Sequence, residues 1–460
     1  MNILYMLLAL CTVSCACSKN GSFPPAPVNP VTTDSTPTQF GTPFTQVPDP
    51  QDAVIYQVNM RAFSKEGTFK GVQNRLDAIK ALGVNVLYLM PVYPVGVIKT
   101  VNSPYCVKDY SGVAAEFGTL DDLRTLVTEA HNRNMAVMFD WVADHTSWDN
   151  SWISNKAWYL QDGSGNIISP PNTGWNDVAA LSFTNTDMRK AMIKNMKYWV
   201  YTANIDGYRC DAADFVPADF WGQALDSLRN ITTHKLLFFA EGTRNDHFTA
   251  GFQMKYGMGF YYTLKDQVFK AGRTVKTIDS LNTAEYVNAG GTSRVVRYTS
   301  NHDVDNTDGT PLDLFGGKTG SLATFLVGAY MKGVPMIYNG QEVGCPIKLS
   351  FYNNSTTIDW TINPDMTAEY TKLLSFYNSS NAIRRGTLQS YSSDDVCVFT
   401  KIMGTEKILV VVNLRNSTVN YTMPSALTSG SWQDAFTATG VTFTSNMSLA
   451  PFEYHVYKGL

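Results

Sequence analysis

The chain reads as an α/β protein, a (β/α)8 barrel (TIM barrel) with a small inserted subdomain after strand 3 and a C-terminal antiparallel β-sandwich. Three observations predict this. From about residue 53, short apolar runs alternate with segments of helical periodicity at the pace of βα units, the pattern of a parallel sheet covered by helices. Several of those runs end abruptly in polar, acidic residues, at Asp140, Asp211, Glu241 and Asp303. A buried strand gains nothing from ending in a charge, so such endings are explained by strands delivering side chains to one rim, the carboxyl face of a parallel barrel. After about residue 387, alternating β-branched and aromatic runs such as Val396-Cys397-Val398-Phe399-Thr400 take over, as in short antiparallel strands.

Residues 53–58 give the first strand and 76–82 part of a helix. Residues 84–90 give the second strand, stopped by Pro91. Thr119, with an acid three residues on at Asp122, starts the helix leading to the third strand at 135–139. Residues 141–183 break the rhythm, are rich in Trp, Asn, Gly and Pro, and hold five of the nine tryptophans, so they read as an excursion from the barrel. Alternation resumes with a helix at 187–202, a strand at 205–211, a helix at 218–229 and a strand at 235–241. The sixth unit, 256–289, has the weakest pattern. A strand at 294–300, a helix at 320–331, a strand at 335–338 and a helix at 367–383 complete the barrel, expected over 51–386, with the sandwich over 387–460.

At 460 residues, 44% hydrophobic and 16% charged, the chain can bury a large core and exceeds one ordinary domain. A net charge of -3 and the lack of any lysine or arginine run argue against a nucleic-acid partner. Residues 1–10 are apolar, too short to span a bilayer, and run into small residues and cysteines, so 1–17 reads as a lipoprotein-type export signal with Cys15 or Cys17 acylated. Residues 18–50, crowded with Pro, Thr, Ser and Gly, read as a flexible tether. The expected location is the cell envelope, with membrane contact through the N-terminal lipid only; plain secretion is the alternative. Cys106, Cys210, Cys345 and Cys397 are too widely spaced to suggest a zinc site or a disulfide framework.

In order and wording, Phe139-Asp140-Trp141-Val142-Ala143-Asp144-His145-Thr146, Asp206-Gly207-Tyr208-Arg209-Cys210-Asp211, Ala240-Glu241-Gly242 and Ser300-Asn301-His302-Asp303 resemble the α-amylase family, glycoside hydrolase family 13. Residues 103–110 and 333–342 add supporting matches. The resemblance implies retaining hydrolysis of α-glucosidic bonds, with Asp211 as nucleophile, Glu241 as acid and base, and Asp303 gripping the reacting sugar. It further implies that His145 and His302 hydrogen-bond that sugar, that Tyr105 stacks beneath it and that Asp140 braces the site. The residue chemistry reaches a similar place. Retention needs one ionised and one protonated carboxyl about 5 to 5.5 Å apart. Arg209, two residues before Asp211 on one strand, points to the same side and can hold it ionised, while the apolar run before Glu241 would raise its pKa.

The sequence also departs from the family. Asp144 stands where Asn is common, often as a calcium ligand; a carboxylate oxygen suits that hard cation, so calcium is a candidate but not a required cofactor. Asp214-Phe215 replaces a common Lys-His pair, and Val178-Ala179-Ala180-Leu181-Ser182 lacks the usual acid. The leading expectation is an endo-acting hydrolase of α-1,4 bonds in starch-like glucans, working through a covalent glycosyl-enzyme. The alternatives are a cyclomaltodextrinase, glucanotransferase or α-glucosidase of the same family and, from another class, a glucan-binding protein on a dead barrel.

Overall fold

The computed structural model describes residues 37–460; the expected export signal, Cys15, Cys17 and the first half of the tether lie outside them. In chain order come β1 (Ile55–Val58), β2 (Val86–Leu89), β3 (Ala136–Val142), β4 (His145–Ser147), β5 (Val178–Ala180), β6 (Gly207–Asp211), β7 (Leu237–Ala240), β8 (Met254–Tyr256), β9 (Arg294–Arg297) and β10 (Gly333–Tyr338). All but β4 and β5 pair in parallel and close into an eight-stranded barrel, β10 returning to β1. Strands β1, β2, β3, β6 and β7 are buried along their whole length, which explains their continuous apolar runs. Gly207 opens β6 because a Cβ there would lie 2.0 Å from the Leu237 carbonyl oxygen.

Thr119 caps the helix Leu120–Asn132 as its spacing predicts, its hydroxyl accepting from the Asp122 amide at 3.1 Å while Asp122 accepts from the Thr119 amide at 2.8 Å. The weak sixth unit has a physical cause. Strand β8 is three residues long and carries buried Lys255, whose ammonium donates to the Thr243 carbonyl and Asn245 Oδ1. The crossover after it breaks into a helix Met258–Tyr262, a π-helical stretch Thr263–Lys270 and further short turns, so no single period runs through it. Strand β9 stops at Arg297, three residues before the expected end.

The excursion after β3 is a small antiparallel pair, β4 with β5, linked through short turns. Its tryptophans mostly serve packing: Trp141 is fully buried, Trp152 meets Trp158 edge-on at 5.0 Å, and Trp148 lies under the Lys99 ammonium at 3.7 Å. The expected tether does not stay free to residue 50. Phe40 donates its amide to the Tyr201 carbonyl, Phe44 stacks on His131 at 4.4 Å and Val47 is buried, so residues 40–47 form a strap on the barrel.

Beyond the barrel, β11 (Thr387–Ser390), β12 (Val396–Met403), β13 (Glu406–Asn413), β14 (Val419–Thr422), β15 (Trp432–Asp434), β16 (Gly440–Val441), β17 (Asn446–Leu449) and β18 (Tyr454–Gly459) form two antiparallel sheets. Six strands run in the order β11-β12-β13-β18-β15-β16, and β14 pairs with β17. Side-chain alternation divides the labour. Val396, Val398, Leu409 and Val411 meet Tyr421 and Leu449 of the smaller sheet, whereas Cys397, Phe399, Ile408 and Val410 join the barrel's core. Cys106, Cys210, Cys345 and Cys397 are free and buried.

Candidate active site

Arg209, fully buried, organises the carboxyl end of the barrel. Its Nη1 donates to Asp140 Oδ1 at 2.6 Å and to Asp211 Oδ1 at 2.8 Å, and its Nη2 lies 2.6 Å from Glu241 Oε1. Strands β3 and β6 are in register so that Asp140 faces Arg209, which explains why residues far apart in sequence meet. Glu241 is further fixed by the turn after β6: Ala212 takes a left-handed φ of 42° and points its amide at Glu241 Oε2, 2.8 Å away. A non-glycine residue held there stores strain, as functional turns often do.

Asp140 also receives the hydroxyls of Tyr88 (2.6 Å) and Tyr105 (2.9 Å) on Oδ2. The Tyr105 hydroxyl lies 2.6 Å from His302 Nε2, and its ring stacks on the imidazole at 5.2 Å. His302 Nδ1 lies 2.8 Å from Gln57 Nε2, and Asp303 Oδ1 stands 3.4 Å from His302 Nε2. His145 donates toward Asp144 Oδ2 (2.9 Å) and toward the Tyr105 carbonyl (3.1 Å). Asp211, Glu241, Asp303, Tyr105, His145 and His302 thus line one pocket of about 470 Å3, with Arg209 and Asp140 beneath it.

Four carboxylates around one guanidinium cannot all stay ionised out of water. Burial pushes Asp303 up to about 7, helped by the Glu241 charge and opposed by Arg209. Burial also drives Asp211 well above the carboxylate range despite Arg209, with Glu241 and Asp140 adding to the rise. Burial raises Glu241 as well, but Arg209 and the Ala212 amide outweigh it and bring Glu241 below its ordinary value. This inverts the expectation that Arg209 would serve Asp211 and leave Glu241 protonated. The reason is geometric, because the guanidinium reaches all three acids and its free face falls on Glu241. Burial and Arg209 push His302 down to about 4, so it is neutral. For His145, burial is outweighed by Asp144 and the Tyr105 carbonyl, and its affinity for a proton rises.

Asp144, the candidate calcium ligand, spends Oδ2 on His145, while its Oδ1 is buried without a partner. Among the described residues no three His, Cys, Asp or Glu side chains converge where an ion could be held. The unpartnered Asp144 oxygen suits a hard cation, which would need carbonyl, amide or water oxygens beside it, and no step of the chemistry is assigned to one.

Sequence reasoning missed Gln57 and Tyr88, since a polar residue inside a strand run carries no motif of its own. Phe215 departs from the resembled family's motif, and the sequence alone assigns it no role. Asp214 accepts from the Thr243 amide and hydroxyl, the Arg244 amide and, at 2.6 Å, His247 Nε2. It is therefore a strut, and Phe215 beside it is 55% exposed at the pocket wall, 5.4 Å from the ring of Trp175, itself 37% exposed.

A family model described as alpha amylase, catalytic domain, matches residues 33–166. Alpha-amylase 2 of Dictyoglomus thermophilum is 25% identical over 449 residues, covering 88% of this chain and 76% of that protein. Oligo-1,6-glucosidase of Bacillus cereus is 28% identical over 202 residues, 36% of each chain. The crystal structure of an alpha-amylase from Lactobacillus plantarum superimposes with a TM-score of 0.79 at 25% identity, over 90% of this chain and 100% of that one. On a barrel that gathers the motif residues at one rim, these matches support an alpha-amylase family (glycoside hydrolase family 13) catalytic domain in this chain and mark the protein as a glycosidase.

Proposed function

We propose that the protein cleaves internal α-1,4-glucosidic bonds of starch-like glucans with retention of configuration. The observation that carries this reading is the single guanidinium, Arg209, joining Asp140, Asp211 and Glu241 in a pocket that Asp303 closes. Asp211 attacks the anomeric carbon, Glu241 protonates the departing oxygen, and the resulting glycosyl ester is hydrolysed by water that Glu241 deprotonates. Between these two acids the proton is favoured on Asp211, whose affinity burial raises, over Glu241, which Arg209 and the Ala212 amide hold down. Substrate binding has to move that proton to Glu241 before the bond breaks, so that Glu241 is the acid and Asp211 the ionised nucleophile. Asp303 holds the ring hydroxyls, and neutral His302, its nitrogens turned to Gln57 and Tyr105, walls the pocket beside it.

The leaving-group side departs from the family pattern at Phe215, and one relative is named for α-1,6 bonds, so the second reading is an exo-acting or transferring enzyme on short glucans. Incubation with amylose, cyclodextrin and maltotriose followed by product sizing separates the two. Early mid-length fragments from amylose, released as α-anomers, are expected; glucose alone from chain ends would sink the endo reading. Export and acylation at Cys15 or Cys17 are part of the proposal. Metabolic labelling with a radioactive fatty acid should be lost in the Cys15→Ala or the Cys17→Ala variant.

A further inference from the structure

The geometry points to Gln57 as a positioning residue that fixes His302 as the neutral tautomer protonated on Nε2 and so keeps the site's mobile proton on its carboxyls. The deduction starts from Asp140. It accepts from Arg209 Nη1 on Oδ1 and from the Tyr88 and Tyr105 hydroxyls on Oδ2. Tyr105 has one proton, and Asp140 takes it. The 2.6 Å contact between the Tyr105 hydroxyl and His302 Nε2 must then be made by the ring donating, Nε2–H to Oη. In a neutral imidazole the remaining lone pair lies on Nδ1, and the group 2.8 Å from it, Gln57 Nε2, is a donor.

Gln57 is fully buried at the end of β1, and in this orientation its carbonyl oxygen has no partner. Turning the amide over would set its oxygen against the Nδ1 lone pair, so the amide orientation and the Nε2–H tautomer require each other.

Every element around the ring bears on its charge. Arg209 from β6 opposes a proton there; Asp140 from β3 and Glu241 after β7 favour one; Asp303 is its chain neighbour; Tyr105 and Phe351 contribute rings. With Nδ1 capped by a donor, a proton arriving on the ring would lose that hydrogen bond, so it stays with Asp211 and Asp303 instead. An imidazolium 3.4 Å from Asp303 would do the reverse and draw the proton off the acids.

The tautomer stands whatever the pocket hydrolyses; its effect on rate rests on the proposed function. The test is nitrogen NMR on the full chain labelled at histidine, with His302 assigned by difference against His302→Gln. The expected wild-type pattern is a bare-type Nδ1 and a protonated-type Nε2; a proton on Nδ1 overturns the proposal. Gln57→Leu should lose the single tautomer and move the basic limb of kcat/KM to lower pH, with kcat down roughly tenfold and KM changed less. Gln57→Glu, which accepts where Gln57 donates, should show both ring nitrogens protonated. If Gln57→Leu keeps both the wild-type ring pattern and the wild-type pH profile, Gln57 is only packing and the inference fails. If the tautomer is confirmed but no α-glucan is cut, the functional reading falls and this one survives.

Discussion

Arg209 matters less for its charge than for its shape. A guanidinium offers several donors in one plane, and here they reach acids from three strands. On the proposed function, Asp211 is the residue on which the chemistry depends most directly. Asp211→Asn keeps the volume and the contact to Arg209 but removes the nucleophile, so turnover of glucans should drop by about 10⁴-fold or more with folding intact. The check is steady-state kinetics beside a thermal melt; near-full turnover in that variant would end the assignment. Each of these acids was legible in the sequence because a charge ending an apolar run is unusual. What was not legible was the direction of their proton affinities, since that depends on which face of Arg209 each carboxyl meets.

At the level of elements, most barrel strands could be read directly because burial on both faces leaves a continuous apolar run. Strand β8 could not, being short, interrupted by Lys255 and followed by mixed helical turns. The end of β6 and the turn after it combine both cases: Asp211 was readable, its neighbours were not. That turn is tied to the strand carrying the acid, with the Ala213 amide donating to the Glu241 carbonyl and Asp214 bracing residues 243–247. On the proposed function Phe215 lies on the leaving-group side, where with Trp175 it would offer an apolar face to a second sugar ring. Phe215→Ala should raise KM for maltoheptaose by roughly fivefold to tenfold, the loss of about 1 kcal/mol of stacking. The loss should be smaller for maltosyl fluoride, which has no ring on that side. Equal losses on both substrates would place Phe215 outside the acceptor path.

Across the whole molecule, the C-terminal sheet gives one face to the barrel, and along that seam lies Lys401 on β12. Its side chain is buried, donates to the Met331 carbonyl and faces Arg294, Lys332 and Arg297. Burial and these like charges push its pKa down to about 7. The folded pKa lies below the unfolded one, so between about pH 7 and about pH 10 the unfolded chain binds more protons and stability rises with pH. Below about pH 7 both states are protonated and the full penalty remains. Lys401→Met should flatten that slope and stabilise the protein at neutral pH by on the order of 3 kcal/mol. Urea unfolding of both proteins from pH 6 to pH 9 measures it, and identical slopes would discard the argument.

The imbalance beneath the pocket, four acids to one base, has an effect on small molecules as well. Even after taking up a proton the cavity remains anionic, so it rewards any visitor bearing positive charge. Hydroxylated amines, protonated and about the size of a glucose unit, would lodge there and, on the proposed function, keep the glucan out, most firmly in alkaline buffer until the amine itself turns neutral.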